Sequence, residues 1–141
     1  MRSNNMKTVS LELAKQLKEA GFLQGSYFWW KLVTINGVKD WKLFDSKPKD
    51  YPEHGYCAAP VADEILDLLP MPIDRGGGCM YRLWINRELI EDKIELIYVN
   101  AKNSDDYFLT VADTLADSAA KMWLCLKKKR NLMTHNLSYT K

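Results

Sequence analysis

Chemistry needs nucleophiles, bases and ligands, and this chain of 141 residues holds only two histidines and three cysteines. One pair stands close, in His54-Gly55-Tyr56-Cys57. An imidazole beside a thiol could form an activated nucleophile, and a helix start just downstream would lower the thiol pKa. A structural zinc site wants four ligands, however, and no Cys-x-x-Cys pair exists to supply half of them. A loop histidine and a semi-buried thiol account for the same residues. Cys57, Cys79 and Cys125 are odd in number and widely spaced, which suits free thiols in a reducing cytoplasm better than a disulfide scaffold.

Two further patterns resemble sites. Arg75-Gly76-Gly77-Gly78 looks like an anion cradle, but it lacks the Lys-Ser/Thr ending and leads into a strand rather than a helix. Asp63, Glu64 and Asp67 share a helix face, as do Asp113 and Asp117. Nothing in the sequence marks these carboxylates as buried, which a general acid would require. The expectation is a protein with no catalytic residue, no metal and no cofactor.

Aromatics mixed with cations make the stronger case. Asn36-Gly37 joins two apolar segments, 27–35 and 38–44, and Asn-Gly adopts the positive φ values of a two-residue hairpin turn at little cost. That loop length sets the pairing: Ile35 with Val38, Val33 with Asp40, Lys31 with Lys42, Trp29 with Phe44. One face then carries Phe28, Trp30, Leu32, Trp41 and Leu43 and should look into the core. The other carries Tyr27, Trp29, Lys31, Val33, Lys42 and Phe44. If left open, Tyr27, Trp29, Lys31, Lys42 and Phe44 form an interaction face for a second copy or another protein. Alternatively, with Lys127, Lys128, Lys129 and Arg130 as a basic patch, the same residues could stack and neutralise a single-stranded nucleic acid. Against both stands the long connection 45–59, which could fold over that face through Tyr51 and Tyr56. The basic run also has a structural explanation, since cations complement a helix C-terminus.

The elements that must carry these residues are punctuated clearly. Ser10 caps a helix over 10–20, which Gly21 stops, and Phe22 folds back on Leu17. Pro60 and Pro70 bracket a second helix over 61–69. The period changes to two in strands 80–85 and 94–99, joined around 88–92, with a turn at 103–106. Thr110-Val111-Ala112-Asp113 has capping-box form and starts a last helix running to about Lys128. Residues 1–8 read as a loose leader, with Met6 a second possible start, and 131–141 as a frayed tail. The whole is one α+β domain: an antiparallel sheet built from two hairpins, three helices mainly on one face, order α-ββ-α-ββ-α.

A resemblance adds a setting. The stretches 9–22, 57–70 and 112–124, all helical, resemble small proteins of phages, prophages and gut bacteria that have no assigned activity. The resemblance implies a bacterial or phage, cytoplasmic context and carries over no catalytic residue.

Bulk properties agree with an ordinary globular domain. Apolar residues make up 47% and charged residues 27%, and the net charge of +2 is too small for a polycation. No apolar run reaches the roughly 18–20 residues that span a bilayer, so no membrane partner is expected.

Overall fold

The computed structural model describes residues 7–70, 73–74, 80–88 and 92–132, with backbone alone for 74, 88 and 129–132. The glycine run 75–78, Cys79 and most of both termini lie outside the described residues.

Helix α1 (Leu11–Glu19) is built as its punctuation requires: Leu13 N donates to Ser10 Oγ at 3.4 Å. Gly21 takes φ +94°, and Phe22 N and Gly21 N donate to the carbonyls of Leu17 and Lys18. These two bonds form a Schellman cap, which turns the chain sharply. Strands β1 (Trp29–Ile35) and β2 (Val38–Phe44) form the hairpin in the expected register, with Asn36 and Gly37 both at positive φ.

The long connection is partly strand. Tyr56–Ala58 forms β3, antiparallel to β1, with Trp29 opposite Ala58 and Lys31 opposite Tyr56. The resulting three-stranded sheet has the order β2-β1-β3. Helix α2 (Ala62–Leu66) follows, its first turn closed by Val61 N donating to Glu64 Oε1 at 2.9 Å. It is shorter than 61–69, because 65–69 tighten into bonds of three-residue spacing. Thr8 bridges to Val61 and Val9 N donates to Pro60 O, so the chain is already tied down at Thr8, inside the supposed leader.

A second antiparallel sheet, order β4-β5-β6-β7, contains β4 (Ile73–Asp74), β5 (Met80–Glu88), β6 (Lys93–Asn100) and β7 (Asn103–Ala112). The third long strand corrects the sequence reading at 103–113. The turn is Ala101-Lys102, with Lys102 N donating to Asn100 Oδ1. Tyr-Phe-Leu-Thr-Val at 107–111 is rich in aromatic and β-branched residues and pairs as a strand. Helix α3 (Leu115–Leu132) starts one pattern later: Asp117 N donates to Thr114 Oγ1 at 3.1 Å, so Thr114-x-x-Asp117 is the cap. Asp117 in turn accepts from Ser10 N at 2.8 Å, joining the starts of α1 and α3. Asn131 and Leu132 belong to α3, so the helix enters the segment expected to fray.

The α+β class stands, and the hairpins head two separate sheets rather than one. Helix α3 packs on β6 and β7, α1 packs on α3 and on β3, and α2 packs on α3, which puts helices between the sheets. The shared core includes Leu17, Ile65, Tyr81, Leu96, Tyr98 and Met122.

Candidate interaction surface

Sequence reasoning put its candidate surface on the outer side of the first hairpin. The structure brings Trp29, Lys31 and Phe44 together there, but covers them: Trp29 is 2% exposed and Lys31 7%. The cover is the strap between β2 and β3. Tyr56 meets Trp29 edge-on, Lys31 Nζ lies 4.8 Å from the centre of the Phe44 ring and 5.7 Å from that of Tyr51, and it donates to Ser46 Oγ at 3.2 Å. Lys31 and Lys42 are cross-strand neighbours, yet they part: Lys31 turns under the strap while Lys42 pairs with Asp40 at 3.4 Å. Tyr27 stands exposed ahead of β1. The open-face expectation is therefore corrected for Trp29 and Lys31, which are buried, and for Phe44, which is half-buried, while Tyr27 and Lys42 remain exposed.

Helix α1 fastens the strap from its other end. Lys18 Nζ donates to the carbonyls of Glu53 and Tyr56, the latter at 2.6 Å, and sits 4.0 Å from the centre of the Tyr56 ring. The face expected to look inward is only partly covered: Trp30, Leu32 and Trp41 are half-buried, while Leu43, on the edge strand, is exposed. Trp30 Nε1 donates to Val9 O, and Lys15 Nζ lies over the Trp41 ring.

The other chemical candidates separate. Cys57 is buried with its thiol pushed above the ordinary value by desolvation, which Lys18 and Lys15 only partly offset, so no thiolate stands ready. His54 is exposed and lines an open cleft of about 290 Å³ with Leu32, Thr34, Lys39, Tyr51 and Pro52, a lining that excludes Cys57. Among the described residues no group of three or more His, Cys, Asp or Glu gathers as metal ligands would. Asp113 pairs with Lys93 at 2.5 Å, which holds its carboxyl below the usual range. Lys127 lies over the Trp123 ring at 5.6 Å and Lys128 is exposed; Lys129 and Arg130 ride on the last described turns of α3, their side chains outside the description. With Trp29 and Lys31 buried, this run has no stacking platform beside it on the hairpin. Among the described residues no helix is long and apolar enough to cross a membrane.

An open apolar face exists elsewhere. On the four-stranded sheet, Tyr81, Leu96 and Tyr98 point into the core, so the alternate residues point out. Cross-strand pairing lines these up in rows: Trp84 with Ile97 and Leu109, and Arg82 with Val99 and Tyr107. Trp84 is 58% exposed and Leu109 44%, with Tyr107 also exposed and Ile97, Val99 and Val111 half-buried. Sequence pattern alone does not reveal this face, because 103–106 has turn composition and Thr110-x-x-Asp113 the form of a helix cap, whereas the chain pairs there as β7. The alternation of 80–85, with Arg82 and Trp84 opposite Tyr81 and Leu83, was the trace that could have revealed it.

The chain matches no family model, no curated protein and no solved structure.

Proposed function

We propose that this is a small, non-enzymatic α+β protein of phage or prophage type that acts by protein–protein contact, pairing with a second copy of itself through the outer face of the four-stranded sheet. The observation that carries the reading is the Trp84–Ile97–Leu109 row, three apolar side chains from three adjacent strands on a sheet face that leaves Trp84 and Leu109 exposed and Ile97 half-buried. Apolar patches of this kind mark contact surfaces, and Trp is the residue most often at their energetic centre. Charge supports self-pairing in particular. Arg82 at one end and Glu95 at the other have no ion pair within the described residues, so each is free for the opposite charge of a second copy.

The band is about 15 Å on a side, judged from strand spacing and rise. An interface that small belongs to the weak, transient class, so the dimer should form reversibly and only at high protein concentration. A reducing, cytoplasmic setting belongs to the same proposal and is supported by the free thiols of Cys57 and Cys125. Sedimentation of the wild type over a concentration series tests the reading: a reversible dimer that Trp84→Glu abolishes is expected. A wild type that stays monomeric throughout contradicts it. Nucleic-acid binding, with only the basic end of α3 to support it, predicts instead a salt-sensitive fluorescence change with a labelled oligonucleotide.

A further inference from the structure

The same face has a direction, and the direction selects one way of pairing. Arg82 belongs to the row of Val99 and Tyr107; Glu95 belongs to the row of Asn86 and Val111; the Trp84 row lies between them. Along the strands, four residues of rise, about 13 Å, separate the Arg82 row from the Glu95 row. That is too far for the two to pair within one chain, and neither has an ion pair among the described residues.

Two copies stacked face to face can be related by either of two two-fold axes. An axis parallel to the strands lays every row on the same row of the other copy. The middle long strand, β6, then covers itself, and Glu95 faces Glu95 of the partner subunit. An axis running across the strands, through the Trp84 row, reverses the strand direction and lays the Arg82 row on the Glu95 row at both ends. Arg82 then sits one strand spacing, about 4.8 Å, to the side of Glu95 of the partner subunit, within reach of its long side chain. Both arrangements lay the apolar row on itself, with Trp84 on Leu109 for the first axis and Trp84 on Trp84 for the second, and the charges distinguish them: like charges meet in the first and opposite charges in the second.

We infer that the two copies stack with their strands running in opposite directions, each Arg82 meeting Glu95 of the partner subunit at the rim of the apolar band. The inference rests on the self-pairing proposed above and adds its geometry and its two specificity-determining residues. An isologous contact of this kind uses each pair twice, which doubles the effect of a single substitution.

The test is a charge exchange read by sedimentation equilibrium on the full chain, at low and high salt. Arg82→Glu and Glu95→Arg are each expected to raise the dimer Kd about tenfold, and R82E/E95R together to return it to within about threefold of wild type. Salt should weaken the wild-type dimer and narrow these differences. Arg82 is exposed and Glu95 half-buried on the outer sheet face, away from the core, so circular dichroism melts taken at concentrations where the chain is monomeric should change little. A wild-type dimer whose double variant is no tighter than the single ones overturns this geometry and leaves self-pairing standing. A monomeric wild type overturns both.

Discussion

Trp29 and Tyr56 meet edge to face, their ring centroids 6.0 Å apart at 63°. Tyr56 can reach that position only because the chain after β2 doubles back and pairs β3 against β1, with Lys31 opposite Tyr56. The strap and the hairpin are thus one folded unit, and an aromatic that local pattern would leave in water becomes part of the interior.

Trp29→Glu should therefore destabilise the fold strongly rather than merely alter its surface. Placing a carboxylate where a large ring is buried costs about 3 kcal/mol or more, from lost packing together with desolvation of a charge. Urea denaturation followed by circular dichroism should show a large drop in midpoint. A midpoint within error of wild type would mean that the strap does not cover this residue.

Lys31 gives a finer test of the same cover. Its ammonium is buried against the Phe44 and Tyr51 rings with one hydroxyl partner, Ser46, and no carboxylate within pairing distance among the described residues. Lys31→Met keeps the stem and removes the charge, so stability should change by less than about 1 kcal/mol in either direction. Lys31→Asp should cost several times as much, because a buried carboxylate would face aromatic rings without a cation. Comparable urea midpoints for the two variants would contradict the arrangement.

What could be read from the sequence depended on how local the determining interactions were. Asn36-Gly37 dictates a two-residue loop and so the register of the hairpin, and Ser10, Gly21 and Phe22 dictate both ends of α1; each is settled within a few residues. Which side of the hairpin is covered depends on a strap held by Lys18, Lys31 and Tyr56, contacts that join distant segments. The second sheet shows a different obstacle. Thr110-x-x-Asp113 and Thr114-x-x-Asp117 are both capping patterns, and only the pairing of β7 with β6 decides that the second one is used. A turn at 103–106 followed by a helix start at 110–113 leaves no strand to carry Leu109 and Val111, and so conceals the apolar face.

Two buried acids set the alkaline limit of stability. Burial pushes the Cys57 thiol above its ordinary 9.0, partly offset by Lys18 and Lys15, and pushes the Tyr98 phenol far above its ordinary 10.0, where its hydroxyl donates to Pro70 O. Both are protonated in the folded chain at a pH where the unfolded chain has begun to lose those protons. The folded state then binds more protons than the unfolded one, so stability falls as pH rises past 9, by up to about 1.4 kcal/mol per unit for each group. From neutral pH to about 8 neither group is appreciably ionised in either state, so these two contribute almost no slope, and the Cys57 contribution sets in between about 8 and 9. Thermal melts across the alkaline range should show this decline, shallower in Cys57→Ala. Stability that rises through this range would contradict the burial of both groups.

The open apolar face of this protein lies on the four-stranded sheet and not on the first hairpin. The decisive measurement is Trp84→Glu, followed by sedimentation and urea denaturation on the same sample. The residue is exposed on a sheet face, so folding stability should stay within about 0.5 kcal/mol of wild type while the dimer disappears. A Trp84→Glu protein that still dimerises like wild type, or one that fails to fold because Trp84 was holding the core together, would contradict the claim.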